Sequence, residues 1–239
     1  MNVKRLNSTG RLFFTTDIHG ELPTLLHGLK ELGFIEEEDL LVCAGDLIDR
    51  GRYNLDTAYF FLDKTNDPFD AYHSVLGNHD LFSFDNQGYN KDFACWLMNG
   101  GKWAFTEIPE EDRKLLGYDM MNLPYAIEVE HQSLKYGVVH AGVPDELTWD
   151  EFILALENNN PAAKFECVWL RDFVEYKDHE GYQAPLVGID FTIHGHTPVK
   201  EPLMVGNRLH IDTGLVYGKY LTITEAVDGK FIHHKFGLV

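Results

Sequence analysis

The stretch Leu40-Leu41-Val42-Cys43-Ala44-Gly45-Asp46-Leu47-Ile48-Asp49-Arg50-Gly51 decides the fold. It opens with an unbroken apolar run, the pattern of a strand buried on both faces, and the run stops at a glycine followed by a carboxylate. Two neighbouring stretches have the same form. Leu12-Phe13-Phe14-Thr15-Thr16 leads into Asp17-Ile18-His19-Gly20, and Ala71-Tyr72-His73-Ser74-Val75-Leu76 leads into Gly77-Asn78-His79-Asp80. Helical patterns lie between them: Leu22, Leu25, Leu26, Leu29 and Leu32 recur at helical spacing up to Gly33, and residues 54–62 repeat the pattern. Strand and helix alternating in this way predict an α/β fold, a mainly parallel sheet with covering helices.

In the second half, residues 126–129, 136–139, 191–193, 209–211 and 220–224 read as strands. Residues 136–139 end in His140-Ala141-Gly142, and residues 191–193 run into His194-Gly195-His196-Thr197-Pro198. Residues 82–118 break up around turn signals, with a helical stretch at 92–98 and a polar segment from Pro109, and read as an excursion over a site rim. Residues 145–182 read as a second rim. No repeat or linker interrupts the 239 residues, so a single domain is expected, its core spanning about 12–224.

The chain carries 20 basic and 38 acidic residues, a formal net charge of -18, which repels phosphate backbones and argues against general binding to nucleic acid or anionic membrane. Cys43, Cys95 and Cys167 lie far apart with no paired spacing, against both a disulfide framework and a thiolate metal site. The short apolar run Leu12-Phe13-Phe14 behind the charged start gives no expectation of a signal peptide, and no apolar run approaches the roughly 18 residues of a membrane span. A monomer in the reducing cytoplasm is the expectation.

Strand ends deliver side chains to the carboxyl edge of a sheet, where ligands bind in open α/β folds. Asp17 and His19, just past a strand, can reach one cation. Asp46 can bridge two, and Asn78, His140 and His196 can serve the second. Two-metal hydrolase sites hold their ions about 3.5–4 Å apart, which a bridging carboxylate matches. The oxygen and nitrogen donors, with no thiolate, suit manganese, iron or zinc better than copper or calcium, and manganese is the expected ion. Singly, such residues are usually caps, turn residues or packed histidines; together, five strand-end placements agree.

These motifs in this order resemble the metal-dependent phosphoprotein phosphatases of the calcineurin-like metallophosphoesterase superfamily, the bacteriophage lambda type and its bacterial relatives most of all. Trp96-Leu97-Met98-Asn99-Gly100-Gly101, Trp169-Leu170-Arg171 and Ile211-Asp212-Thr213-Gly214 add to the likeness. The resemblance implies a central β-sandwich of two mixed sheets flanked by helices. It places one divalent metal on Asp17, His19 and Asp46, and a second on Asp46, Asn78, His140 and His196. It further implies attack by a hydroxide held between the metals.

Phosphoryl oxygens call for the planar fork of arginine, and Arg50 and Arg171 are the candidates that the resemblance assigns, with Asn78. His79, next to a ligand, is free to protonate the leaving oxygen, with Asp49 as its orienting carboxylate. Asp80 stands where the family more often has Glu, and Thr16 where it has Gly. The roles of Asp80, His194 and Tyr217 stay open. The expected activity is hydrolysis of phosphoserine and phosphothreonine in proteins, with phosphotyrosine as a further substrate. A dinucleoside polyphosphate hydrolase is the alternative, since Gly77-Asn78-His79-Asp80 resembles that relative, and a non-catalytic metal-binding scaffold is the third reading.

Overall fold

Phe13 and Phe14 are chain neighbours that pack into different cores. Phe14 joins Leu12, Leu40, Val42, Ile127, Val129, Tyr136, Val138, Ile193, Leu209 and Ile211 in one apolar layer. Phe13 faces the other way with Leu41 and Cys43, toward Leu25, Leu29, Ala58 and Phe61 of covering helices. Alternate residues of a strand point to opposite faces. A strand with an apolar layer on each side therefore needs an unbroken apolar run, as residues 12–14 and 40–44 supply.

The computed structural model describes residues 2–85, 93–171, 174 and 184–239. Its strands are β1 (Val3–Ser8), β2 (Leu12–Thr15), β3 (Leu40–Cys43), β4 (Tyr72–Ser74), β5 (Ala126–His131), β6 (Leu134–Val139), β7 (Phe191–His194), β8 (Leu203–Val205), β9 (Arg208–His210), β10 (Leu221–Val227) and β11 (Lys230–Phe236). The helices are α1 (Leu22–Glu31), α2 (Asn54–Leu62), α3 (Asn78–Asp85), α4 (Phe93–Met98), α5 (Trp103–Thr106), α6 (Glu110–Met120), α7 (Trp149–Glu157) and α8 (Pro161–Trp169). One sheet has the order β1-β5-β6-β7-β9-β8 and the other β11-β10-β2-β3-β4. Both are mixed: β2, β3 and β4 are parallel, whereas β10 runs antiparallel to β2 and β11. The two sheets face each other across the layer holding Phe14, giving the expected sandwich.

Both sheets reach beyond the expected 12–224 core. β1 pairs in parallel with β5, Val3 opposite Ala126, and β11 pairs with β10, Leu221 opposite Phe236. The polar segment from Pro109 is helix α6, whose first turn holds Glu110, Glu111 and Asp112 and whose inner side is Leu116, Gly117 and Met120. Acidic residues in a first turn complement the helix dipole, so a segment polar enough to read as a loop is a well-started helix. Within the second rim, α7 opens with a Thr148 and Glu151 capping box and α8 with an Asn160 cap before Pro161. Residues 86–92, 172–173 and 175–183 of the two rims lie outside the described residues.

The register places the chemistry. Thr15, Cys43 and Ser74 sit side by side at the ends of β2, β3 and β4, so the loops carrying Asp17, Asp46 and Asn78 leave from one edge. In the other sheet, β6, β7 and β9 run parallel and lead to His140, His196 and Asp212. The two edges meet at the site.

Candidate metal centre and phosphate pocket

Past the strands, the first two loops continue side by side: Asp17 N–H donates to Gly45 O at 3.0 Å, His19 N–H to Asp46 O at 3.0 Å, and Gly20 N–H to Leu47 O at 2.8 Å. Turning the side chains inward costs backbone strain. Among the described residues, eleven non-glycine residues have positive φ, and six of these are Asp17, His19, Asp46, Asp49, Arg50 and His196. Strain of about 1–3 kcal/mol per residue persists only where the surroundings hold it, and it gathers at functional sites. Here buried hydrogen bonds hold it. Asp80 accepts from the backbone N–H of Asp46 at 3.0 Å, Leu47 at 2.8 Å and Gly77 at 2.9 Å, clamping the second loop to the third. Gly77 lies so close that a Cβ there would overlap the Asp46 carboxylate, and one on Gly195 would overlap the Thr16 hydroxyl and Asp17.

The imidazoles are oriented from behind. His19 Nδ1 lies 2.7 Å from Ile48 O and His140 Nδ1 2.7 Å from Ala44 O. A carbonyl only accepts, so Nδ1 carries the proton in both rings and each Nε2 turns a lone pair inward. Burial holds both histidines below their ordinary pKa, His140 at about 3, so the lone pairs are free at neutral pH. His19 Nε2 faces Asp46 Oδ2 at 3.6 Å and Asp17 Oδ1 at 3.9 Å. His140 Nε2 faces Asn78 Oδ1 at 2.9 Å and Asp46 Oδ1 at 3.4 Å, and His196 Nδ1 is 2.8 Å from the same Asn78 oxygen. Carboxylate and amide oxygens and imidazole nitrogens thus converge on Asp46 from two sides. Burial raises both Asp17 and Asp46, and carboxylate neighbours raise them further. A divalent cation would reverse both effects. The donor set fits two divalent metals sharing Asp46.

Ligand-capable atoms cluster as His19, Asp46 and His79, and as Asp46, His140 and His196. His79 is in the first cluster but both its nitrogens are engaged: Nδ1 is 2.7 Å from Asp49 Oδ2, and Nε2 is 3.0 Å from Arg50 Nη2. Asp17 is in neither cluster; its Oδ2 takes the Thr16 hydroxyl at 2.5 Å and His196 N–H at 3.0 Å, and its Oδ1 lies 3.9 Å from His19 Nε2. All six expected ligands are thus brought together.

Asp49 is fully buried and lies beneath two indoles: Trp96 Nε1 is 2.9 Å from Oδ2 and Trp103 Nε1 2.8 Å from Oδ1. Burial pushes this carboxyl up to about 7, against the pull of the two indole donors. Arg50 reaches across the site, its Nη1 2.6 Å from His19 Nε2 and its guanidinium 5.3 Å from the Tyr217 ring. Arg171 is exposed at the mouth, Nη1 3.4 Å from Thr197 Oγ1. Both arginines line a pocket of about 110 Å³ with Asn78, His79 and Tyr217.

Asp212, Trp96 and Trp103 are site residues to which the sequence reading gave no role. Asp212 is buried in the pocket wall, accepts Gly214 N–H at 2.9 Å and is pushed up to about 6 by burial. Its signal was present, since Leu209-His210-Ile211-Asp212 repeats the apolar run ending in a carboxylate. His194 is buried against His210 with ring centroids 5.0 Å apart, its Nε2 2.8 Å from Thr192 Oγ1, and belongs to the sheet packing.

A two-sheet α/β sandwich whose strand edges gather paired oxygen and nitrogen donors around one carboxylate, with two arginines at the mouth, defines a metallophosphoesterase. The model of the calcineurin-like phosphoesterase family matches residues 10–200, and the chain belongs to that family of hydrolytic, divalent-metal enzymes. It is 34% identical over 203 residues to serine/threonine-protein phosphatase 2 of Salmonella typhimurium, covering 83% of this chain and 84% of that one. It is 28% identical over 233 residues to an asymmetrical bis(5'-nucleosyl)-tetraphosphatase of Bacillus subtilis, covering 87% of each. A serine/threonine phosphatase structure from Saccharomyces cerevisiae superposes with a TM-score of 0.67 at 14% identity, covering 100% of this chain and 84% of that one. Among the described residues no helix is long and apolar enough to cross a membrane.

Proposed function

We propose that the protein is a metal-dependent serine/threonine phosphatase. The observation that carries this reading is the Asp49–His79 pair, 2.7 Å apart, placed beside two arginines and the paired donor clusters. Asp17, His19 and Asp46 would hold one metal, and Asp46, Asn78, His140 and His196 the other, with manganese the proposed ion. Bound there, the metals would lower the pKa of water and make hydroxide available near neutral pH. Arg50 and Arg171 bind the phosphoryl oxygens, and Asn78 lies against them. Asp49 fixes His79 with Nδ1–H toward the carboxylate, so that Nε2 faces the pocket and delivers a proton to the leaving alkoxide. After burial, the charges of Arg50 and Arg171 lower the pKa of His79. A phosphate dianion on those arginines offsets that effect and favours the protonated ring. The similarity to the Salmonella phosphatase supports a phosphoprotein substrate, and the unpaired cysteines support a cytoplasmic setting.

The similarity to the Bacillus tetraphosphatase supports the second reading, a dinucleoside polyphosphate hydrolase. Chelator-stripped protein, with and without added manganese, distinguishes the two when given p-nitrophenyl phosphate, a phosphoserine peptide and diadenosine tetraphosphate. Manganese-restored turnover of the first two is expected. Turnover confined to diadenosine tetraphosphate would establish the second reading, and no turnover of any of the three would leave the scaffold.

A further inference from the structure

The pocket of about 110 Å³ has room for a phosphoryl group and a few atoms more, so most of any substrate must lie across its rim. On one side that rim is aromatic. Trp169, at the last position of α8, lines the pocket, and its ring stands edge-on to His196 with centroids 5.9 Å apart. Buried Phe82 meets Trp169 edge-on at 5.7 Å. One turn earlier on α8, Phe165 lies nearly parallel to Trp169, centroids 6.3 Å apart and planes 28° apart, and is 62% exposed. Residues four apart on a helix share a face, so the pair forms a shelf leading out of the pocket. Three ring contacts fix the inner half of the shelf, and little ordering entropy is left to lose on binding.

We propose that Phe165 and Trp169 form a subsite for an aromatic side chain flanking the phosphorylated residue of a peptide substrate. The proposal rests on the phosphoprotein reading. An extended chain advances about 3.3–3.6 Å per residue, so the 6.3 Å step from Trp169 to Phe165 corresponds to about two residues. The leaving residue meets Trp169, and a ring one or two residues along meets Phe165. Aromatic pairs attract one another beyond the area they bury, which makes the subsite a determinant of preference among phosphosites.

The test uses metal-loaded enzyme and phosphothreonine peptides with alanine flanks, into which one phenylalanine is placed in turn at the two residues on either side. Wild type is expected to favour phenylalanine at one position by about tenfold in kcat/KM. Phe165→Ala is expected to remove the preference, mainly through KM, and Phe165→Trp to keep it. Phe165 is exposed, so its loss leaves the core intact; a melting temperature for each variant checks this. The proposal is overturned if wild type shows no aromatic preference, if Phe165→Ala retains it, or if Phe165→Ala lowers turnover of all peptides alike. A wild-type enzyme that cleaves no phosphopeptide but cleaves diadenosine tetraphosphate overturns the phosphoprotein reading and the peptide subsite with it.

Discussion

His79 and Asp46 differ in what their removal should cost. His79 lies in the first donor cluster, but its Nδ1 is taken up by Asp49 and its Nε2 faces Arg50. His79→Asn should therefore lower kcat by about 10²–10⁴, the usual contribution of a general acid, while elemental analysis still finds two metals per chain. Asp46→Asn should lose both activity and bound metal, because both clusters depend on its oxygens. Full turnover of an alkyl phosphate by His79→Asn would rule out the general-acid role. At this scale the sequence was readable where a residue follows a strand, as for Asp17, Asp46 and His140. Trp103 was not, because its link to Asp49 joins residues 54 apart across α2, β4, α3 and α4, and no local pattern encodes such a contact. Asp212 carried the strand-end signal in weaker form, its apolar run interrupted by His210.

Between elements, Asp80 is the clamp. It is buried in the first turn of α3, and its carboxylate takes three backbone N–H bonds from the loops after β3 and β4. In Asp80→Ala those donors are buried without partners, each at about 1–3 kcal/mol. A loss of several kcal/mol in urea denaturation is expected, with weakened metal retention because the Asp46 loop is freed. Unchanged stability would show that water replaces the carboxylate. The same scale separates legible elements from illegible ones. β2 and β3, buried on both faces, carry unbroken apolar runs, whereas β11 has the burial of an edge strand and the half-polar sequence Lys230-Phe231-Ile232-His233-His234-Lys235-Phe236. Such an edge strand leaves no apolar run to read, and its place depends on pairing with β10.

Across the whole molecule, charge and buried histidines set the response to solution conditions. A net charge of -18 repels itself in the folded state, so raising ionic strength from low salt should raise Tm. A Tm that falls with salt would mean that ion pairs outweigh the repulsion. His73 is buried, with Lys4 Nζ 3.0 Å from Nδ1 and Nε2 2.8 Å from Asp70 O, and burial followed by the Lys4 charge lowers its pKa to about 4. Above its unfolded value of 6.5 both states are neutral; between 6.5 and about 4 only the unfolded chain takes up the proton. Stability should therefore fall as pH drops through that window, by up to about 3 kcal/mol for this group. Urea midpoints at pH 7.5 and 5 measure it, and His73→Gln should flatten the dependence.

Asp46 contributes to both donor clusters, and the second is complete only when His196 has joined it. Those residues are 150 positions apart in the chain. At about 5–20 residues per second on the ribosome, roughly 8–30 s separate the emergence of the shared carboxylate from that of its last partner. During that interval the nascent chain carries every residue proposed for the first metal but an unfinished set for the second. The residues proposed for the two metals would therefore be completed in order, the first set before the second sheet is made and the second only after that sheet has closed.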